Sequence, residues 1–252
     1  MLFDPFDGDW PGLHEGAQAA EAAGLDGVWL WDHLAGSVHH AARVLECWTS
    51  LTAIAASVPR IAVGPMVLNV ANREAGTLAV MASTLQEVSD GRLLLGVGAG
   101  GGRATPYARE QEALGRQVAG DRARRSDVER TVATLREIWT GRAGSAHGFL
   151  RPDPPPPVVI GAFGPRMAEL AGRVGDGINL PGNAALGDLL RVARDAHAAA
   201  GRDPDAFLVT ASADPSPRSA ERLAELGVHR VVTLVRPPYA DGVARVAVAR
   251  RG

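Results

Sequence analysis

A chain of 252 residues with 46% apolar composition has the length of one large α/β domain and the side chains to build a sizeable core. Its formal net charge of −2 gives no global attraction to nucleic acid or anionic membrane, and no apolar run approaches the roughly 20 residues of a membrane span. All 26 basic residues are Arg, which excludes a lysine Schiff base and hence pyridoxal chemistry, while Cys47 stands alone, which excludes a disulfide framework and a thiolate metal site. With no signal-peptide pattern after Met1, a cytoplasmic protein without nucleic-acid or membrane partners is expected.

A first strand at Met1 to Phe6 is weak, because Pro5 lies inside it. Asp9 caps a helix with Pro11 in its first turn, Leu13, Ala17, Ala20 and Ala23 on its inner face and Gly24 at its end. Gly27 to Trp31 is an apolar run of the kind buried on both faces of a parallel sheet, and its C-terminal end carries Asp32 and His33. Glu46 to Ser57 reads as helix, Ile61 to Leu68 as a strand interrupted by Gly64 and Pro65, and Leu78, Met81, Ala82, Leu85 and Val88 form a helical stripe. Arg92 to Val97 is the fourth strand, running into Gly98 to Gly102. Ser126 to Glu129 resembles a capping box opening a helix with Val128, Val132, Leu135 and Trp139 inside and Gly141 at its end.

Beyond a Gly, Ser and Pro segment from Arg142 to Pro157, the alternation resumes. Strands are expected at Val158 to Ile160, Gly177 to Leu180, Phe207 to Ala211 and Val228 to Val235. Helices are expected at Pro165 to Arg173, Leu186 to Ala200, Ser219 to Leu226 and Tyr239 to Arg250. Eight strand-helix units without a break in composition predict a single (β/α)8 TIM-type barrel over residues 1–252.

In such a barrel the chemistry lies at the C-terminal strand ends. There His33 is the strongest acid/base candidate, with Asp32 beside it to orient the imidazole. Gly96 to Gly101 fits G-x-G-x-x-G, but Arg103 to Pro106 breaks the helix a dinucleotide fold needs. The glycines read instead as a strand end bared so that a flat ligand can lie on backbone. Gly161 to Arg166 opens a helix with Pro165 at its first position, where free N–H groups and the helix dipole suit phosphate. His39 and His40 are adjacent and point apart, so no metal site is expected; they read as solvated, as does the basic cluster Arg122 to Arg125. Glu46 at a helix start is favourable for dipole reasons alone.

Four ordered segments, Ala19 to Gly36, Glu46 to Leu68, Met81 to Gly100 and Val158 to Asn179, together resemble the luciferase-like monooxygenase superfamily. The Trp-Asp-His and Glu-x-Trp-Thr pairing is most similar to its coenzyme F420-dependent branch. The resemblance implies an F420-dependent oxidoreductase that moves a hydride to or from a small organic substrate, acting as a homodimer. An FMN-dependent monooxygenase using O2 and a partner reductase, or a non-catalytic cofactor-binding barrel, are the alternatives. It implies Asp32 and His33 beside the ring, and Met66-Val67 as a bulge against it, often with a cis peptide. Ala99 and Gly100 would line it, and the cofactor phosphate would lie on Gly161, Ala162, Phe163, Gly164, Pro165 and Arg166. Several F420 members carry an acidic Glu soon after the fourth strand, where this chain has Gly101-Gly102-Arg103, and the segments that usually roof the substrate are trimmed.

Overall fold

The computed structural model describes residues 1–142, 144 and 147–250; residues 143, 145 and 146 of the Gly, Ser and Pro segment lie outside the described residues. Strand and helix alternate from β1 (Leu2–Phe3) and α1 (Trp10–Ala22) through β2 (Gly27–Leu30), α2 (Cys47–Ser57), β3 (Ala62–Pro65), β4 (Leu68–Asn69), α3 (Ala75–Val88) and β5 (Leu95–Gly98). Then come α4 (Ala108–Ala113), α5 (Asp121–Trp139), β6 (Val158–Gly161), α6 (Pro165–Val174), β7 (Gly177–Pro181) and α7 (Leu186–Ala199). The chain closes with β8 (Leu208–Ser212), α8 (Pro217–Glu225), β9 (Arg230–Val232), β10 (Leu234–Val235) and α9 (Tyr239–Ala249).

All strand pairs are parallel, in the orders β10-β1-β2-β3 and β4-β5-β6-β7-β8-β9. The two runs join because β3 continues into β4 through the cis Met66–Val67 peptide and β9 continues into β10 across Thr233, so eight strand positions form one (β/α)8 ring. Val63 also pairs with Leu93, bridging β3 to the segment before β5. Leu2, Trp29, Met66, Leu94, Val159 and Val232 fill the barrel, and the larger apolar layer lies between strands and helices. Along β2 this division follows the two-residue period of a strand: Trp29 faces inward, while Val28 and Leu30 belong to the outer layer.

Most expected elements form where local chemistry places them. Asp9 caps α1 by accepting from the Gly12 amide at 2.9 Å, and Glu46 caps α2. One reading is corrected. The helix expected to open at Ser126 begins at Asp121, capped by Gly120, so Ser126 lies inside α5. The stretch from Ala104 to Asp121 contains the short helix α4, for which the sequence offers no periodic apolar face.

Candidate active site

Because every strand is parallel, residues after β2, β4, β5 and β6 share one rim of the barrel. His33 and the Gly161–Arg166 turn therefore lie at the same end. Beyond β2 the strand alternation sends His33 inward and Asp32 outward, and their partners bear this out.

Asp32 has a fully buried side chain, whose carboxylate accepts from the Asn69 amide at 2.9 Å, from Asn72 Nδ2 at 3.0 Å and from both Arg73 terminal nitrogens at 3.0–3.1 Å. Its acceptor positions are spent on the segment between β4 and α3, and it makes no hydrogen bond to His33 among the described residues. The expectation that Asp32 orients the imidazole is therefore corrected. Arg73 also pairs with Glu46, whose two oxygens meanwhile accept from the Trp48 and Thr49 amides at 3.1 and 2.7 Å. Burial opposes the Arg73 charge, but the hydrogen bonds and charge of Asp32, helped by Glu46, outweigh it and raise its pKa. Glu46 is thus a helix cap and a partner of Arg73.

The carboxylate that meets His33 is Glu110, on α4. Its Oε2 lies 3.3 Å from His33 Nδ1, and its Oε1 accepts from the Leu34 and Ala35 amides at 3.0 and 3.1 Å. Glu110 side-chain exposure is 2%, against 18% for His33. Burial pushes the Glu110 carboxyl up, but the hydrogen bonds from His33, Ala35 and Leu34 and the His33 charge outweigh it and hold the carboxyl below its ordinary value. An ionised carboxylate only accepts, so Nδ1 carries the proton, and Nε2, without a hydrogen-bond partner among the described residues, can serve as the exchangeable position.

The sign of that shift sets an acid dependence. With its folded pKa below the unfolded one, Glu110 contributes stability that is complete above about pH 4.3, the ordinary Glu value, and is lost as pH falls through the lower folded value. In urea melts at descending pH, wild type is expected to weaken more steeply in that range than Glu110→Gln. Equal slopes would count against the pairing.

Around His33 stand the rings of Phe6, Tyr107 and His39, with centroids at 5.3, 4.9 and 5.6 Å. The Tyr107 hydroxyl lies 3.3 Å from His39 Nε2, and Trp31 stacks on His39 at 6.0 Å. Partial burial, then the neighbouring His33, hold the His39 pKa below its ordinary value. His39, expected to be merely solvated, is exposed yet belongs to this aromatic rim.

The glycines at the ends of β5 and β6 also accommodate neighbouring side chains. A Cβ at Gly98 or Gly161 would stand 2.6 or 2.8 Å from Val67 Cγ2, and one at Gly100, where φ is +65°, would stand 2.5 Å from the Asn69 amide group. They make room for the side chains of Val67 and Asn69. Met66 lies in the barrel interior, and the Ala99 carbonyl accepts from Arg124. In the turn after β6, Ala162 is buried with its amide bonded to the Asn179 carbonyl, Phe163 is 85% exposed, and Gly164 faces open space. No side chain caps α6, which begins at Pro165, and Arg166 is exposed in its first turn.

Sequence reasoning missed Glu110, Arg73 and Tyr107. Arg73, a cation just past a strand end on the same rim as two acids, was the one with a usable signal. Glu110 and Tyr107 sit in a short helix and its approach, where no pattern marks them.

The chain matches the luciferase-like monooxygenase family over residues 7–246 and belongs to it. It is 31% identical over 176 residues to the F420-dependent glucose-6-phosphate dehydrogenase of Amycolatopsis mediterranei, covering 66% of this chain and 51% of that protein. It is 29% identical over 235 residues to the 5,10-methylenetetrahydromethanopterin reductase of Methanolobus tindarius, covering 86% and 66%. The chain thus spans about half to two thirds of the length of these relatives. Its fold is similar to that of an F420-dependent secondary alcohol dehydrogenase solved with an F420-acetone adduct, at a TM-score of 0.84, 17% identity and coverage of 99% and 97%. Among the described residues no helix is long and apolar enough to cross a membrane, and no group of three His, Cys, Asp or Glu side chains is placed to hold a metal ion.

Proposed function

We propose that this chain is an oxidoreductase that exchanges a hydride between coenzyme F420 and a small organic substrate. The observation that carries the reading is the His33–Glu110 pair on the same rim as the uncapped start of α6. Relatives named as F420-dependent support the deazaflavin over a flavin. The residues fit such a cofactor: the open space at Gly164, the uncapped helix and the exposed Arg166 suit a phosphate, and Val67 offers an apolar surface between β5 and β6.

When bound, the deazaflavin supplies the carbon that carries the hydride. Gly161 to Arg166 would hold its phosphate, and Met66, Val67, Ala99 and Gly100 would line its ring. His33 gives or takes the accompanying proton at Nε2. Glu110 holds the opposite nitrogen, fixing the tautomer and stabilising the imidazolium, the part first assigned to Asp32. Asp32 acts one step back, as a positioning residue, through Asn69, Asn72 and Arg73. A homodimer belongs to the same proposal and is open to light scattering.

Titration of the purified protein with F420 and with FMN, followed by fluorescence, tests the cofactor. Saturable F420 binding is expected. Saturable FMN binding without F420 binding would favour a monooxygenase using O2 and a partner reductase, and F420 binding with no substrate ever reduced would leave a non-catalytic barrel.

A further inference from the structure

The rings that gather at His33 have no part in the proton pair or the α6 turn. Phe6 follows β1, Trp31 follows β2, His39 lies in the turn beyond it, and Tyr107 leads into α4, so four stretches of chain bring rings to one place. They also pack on one another, with centroids 4.4 Å apart for Phe6 and His39 and 5.6 Å apart for His39 and Tyr107. Phe6 is buried, whereas Trp31 and Tyr107 are half-buried and His39 is exposed. Tyr107 is seated on the bare backbone after β5: a Cβ at Gly101 would stand 2.6 Å from the Tyr107 Cβ.

The charges bonded into this rim are already matched. Glu110 meets His33, and Asp4, which accepts from the Phe6 amide at 3.1 Å, meets Arg236 at 3.4 Å. Arg73 is spent on Asp32 and Glu46. Arg124 donates to the carbonyls of Ala99 and Gly100 and to Asp121, with 16% of its side chain exposed, which corrects the expectation of a wholly solvated basic cluster. Among the described residues no guanidinium lies over the rings of Phe6, Trp31 or Tyr107, and none hydrogen-bonds to His33, His39 or Tyr107. An anionic substrate would shed water here without a cation to receive it, while ring faces and edges favour a flat apolar body. Two polar points remain beside the rings: His33 Nε2, and the Tyr107 hydroxyl paired with His39 at 3.3 Å.

We propose that Trp31, His39 and Tyr107 form the substrate wall of this site, and that its substrate is an uncharged carbonyl compound with a flat, aromatic or conjugated face. The inference rests on the oxidoreductase reading above and adds the class of substrate to it. In the reducing direction the carbonyl carbon receives the hydride of the reduced deazaflavin, the C=O π pair moves onto oxygen, and that oxygen takes the proton of His33 Nε2. The substrate becomes an alcohol, the deazaflavin is oxidised, and the imidazolium is left as imidazole.

Three ligands that undergo no reduction test the wall: benzamide, which is flat and neutral; benzoate, which is flat and charged; and cyclohexanecarboxamide, which is neutral and puckered. Affinities are read by equilibrium dialysis, with and without F420. Wild type is expected to bind benzamide about tenfold more tightly than either of the others. In Tyr107→Leu and in Trp31→Leu, the advantage over cyclohexanecarboxamide should fall to about twofold or less, with an unchanged circular dichroism spectrum showing an intact fold. With reduced F420, kcat/KM for benzaldehyde should exceed that for cyclohexanecarbaldehyde by a similar factor. Benzoate or cyclohexanecarboxamide binding as tightly as benzamide, a full preference retained in Tyr107→Leu, or no binding of any of the three overturns the substrate class and leaves the cofactor reading standing. Absence of saturable F420 binding overturns that reading instead, and the dialysis without F420 still reports on the wall.

Discussion

Alanine at His33 is expected to lower turnover of an F420-linked substrate by about 100- to 10,000-fold while leaving cofactor affinity nearly unchanged. The reason lies in where its two nitrogens go. Nδ1 faces a carboxylate with 2% side-chain exposure that two backbone amides also hold, so the ring cannot turn without breaking a three-membered arrangement. Nε2 is then the one position free to trade a proton. Glu110→Gln keeps the shape and removes the charge that stabilises an imidazolium, so its loss should be smaller than that of His33→Ala and should fall on kcat, with KM little changed. Steady-state turnover beside a fluorescence titration separates these outcomes, and unchanged turnover in His33→Ala would remove the proton role.

The second large effect concerns stability. Replacing Arg73 with Leu is expected to cost about 3–5 kcal/mol, because it strands the Asp32 carboxylate in a fully buried position with neutral donors alone. Glu46 loses the same partner, but with 38% of its side chain exposed it can turn to water. Adding Asp32→Asn to Arg73→Leu should recover part of the loss by removing the uncompensated charge. Urea denaturation measures both. A loss under about 1 kcal/mol for Arg73→Leu would mean that the Asn69 and Asn72 donors suffice.

The barrel was legible because its signals repeat. Short apolar runs bounded by Gly gave β2, β6 and β7, and Asp9, Pro11 and Gly24 bounded α1. Strand ends marked His33 and the Gly161–Arg166 turn as candidates, and the family resemblance added Met66 and Val67. Adjacency misled where alternation should have ruled: His39 and His40 were separated on the ground that neighbours point apart, and the same argument applied to Asp32 and His33 would have parted them. Glu110 was out of reach because a six-residue helix has no periodic face and its partner lies 77 positions away in the chain. The bareness of Gly98 was visible, whereas a missing side chain in sequence says nothing about which neighbour moves into the space, here Val67.

That last point gives Val67 a use. Its isopropyl group occupies the hollow left by Gly98 and Gly161, so the bulk at position 67 and the bareness of the two strands beside it are matched to each other. Trimming it would open space beside both strands, and enlarging either glycine would demand a smaller neighbour at 67. An engineer who wished to seat a thicker ring would therefore vary these three positions as one unit.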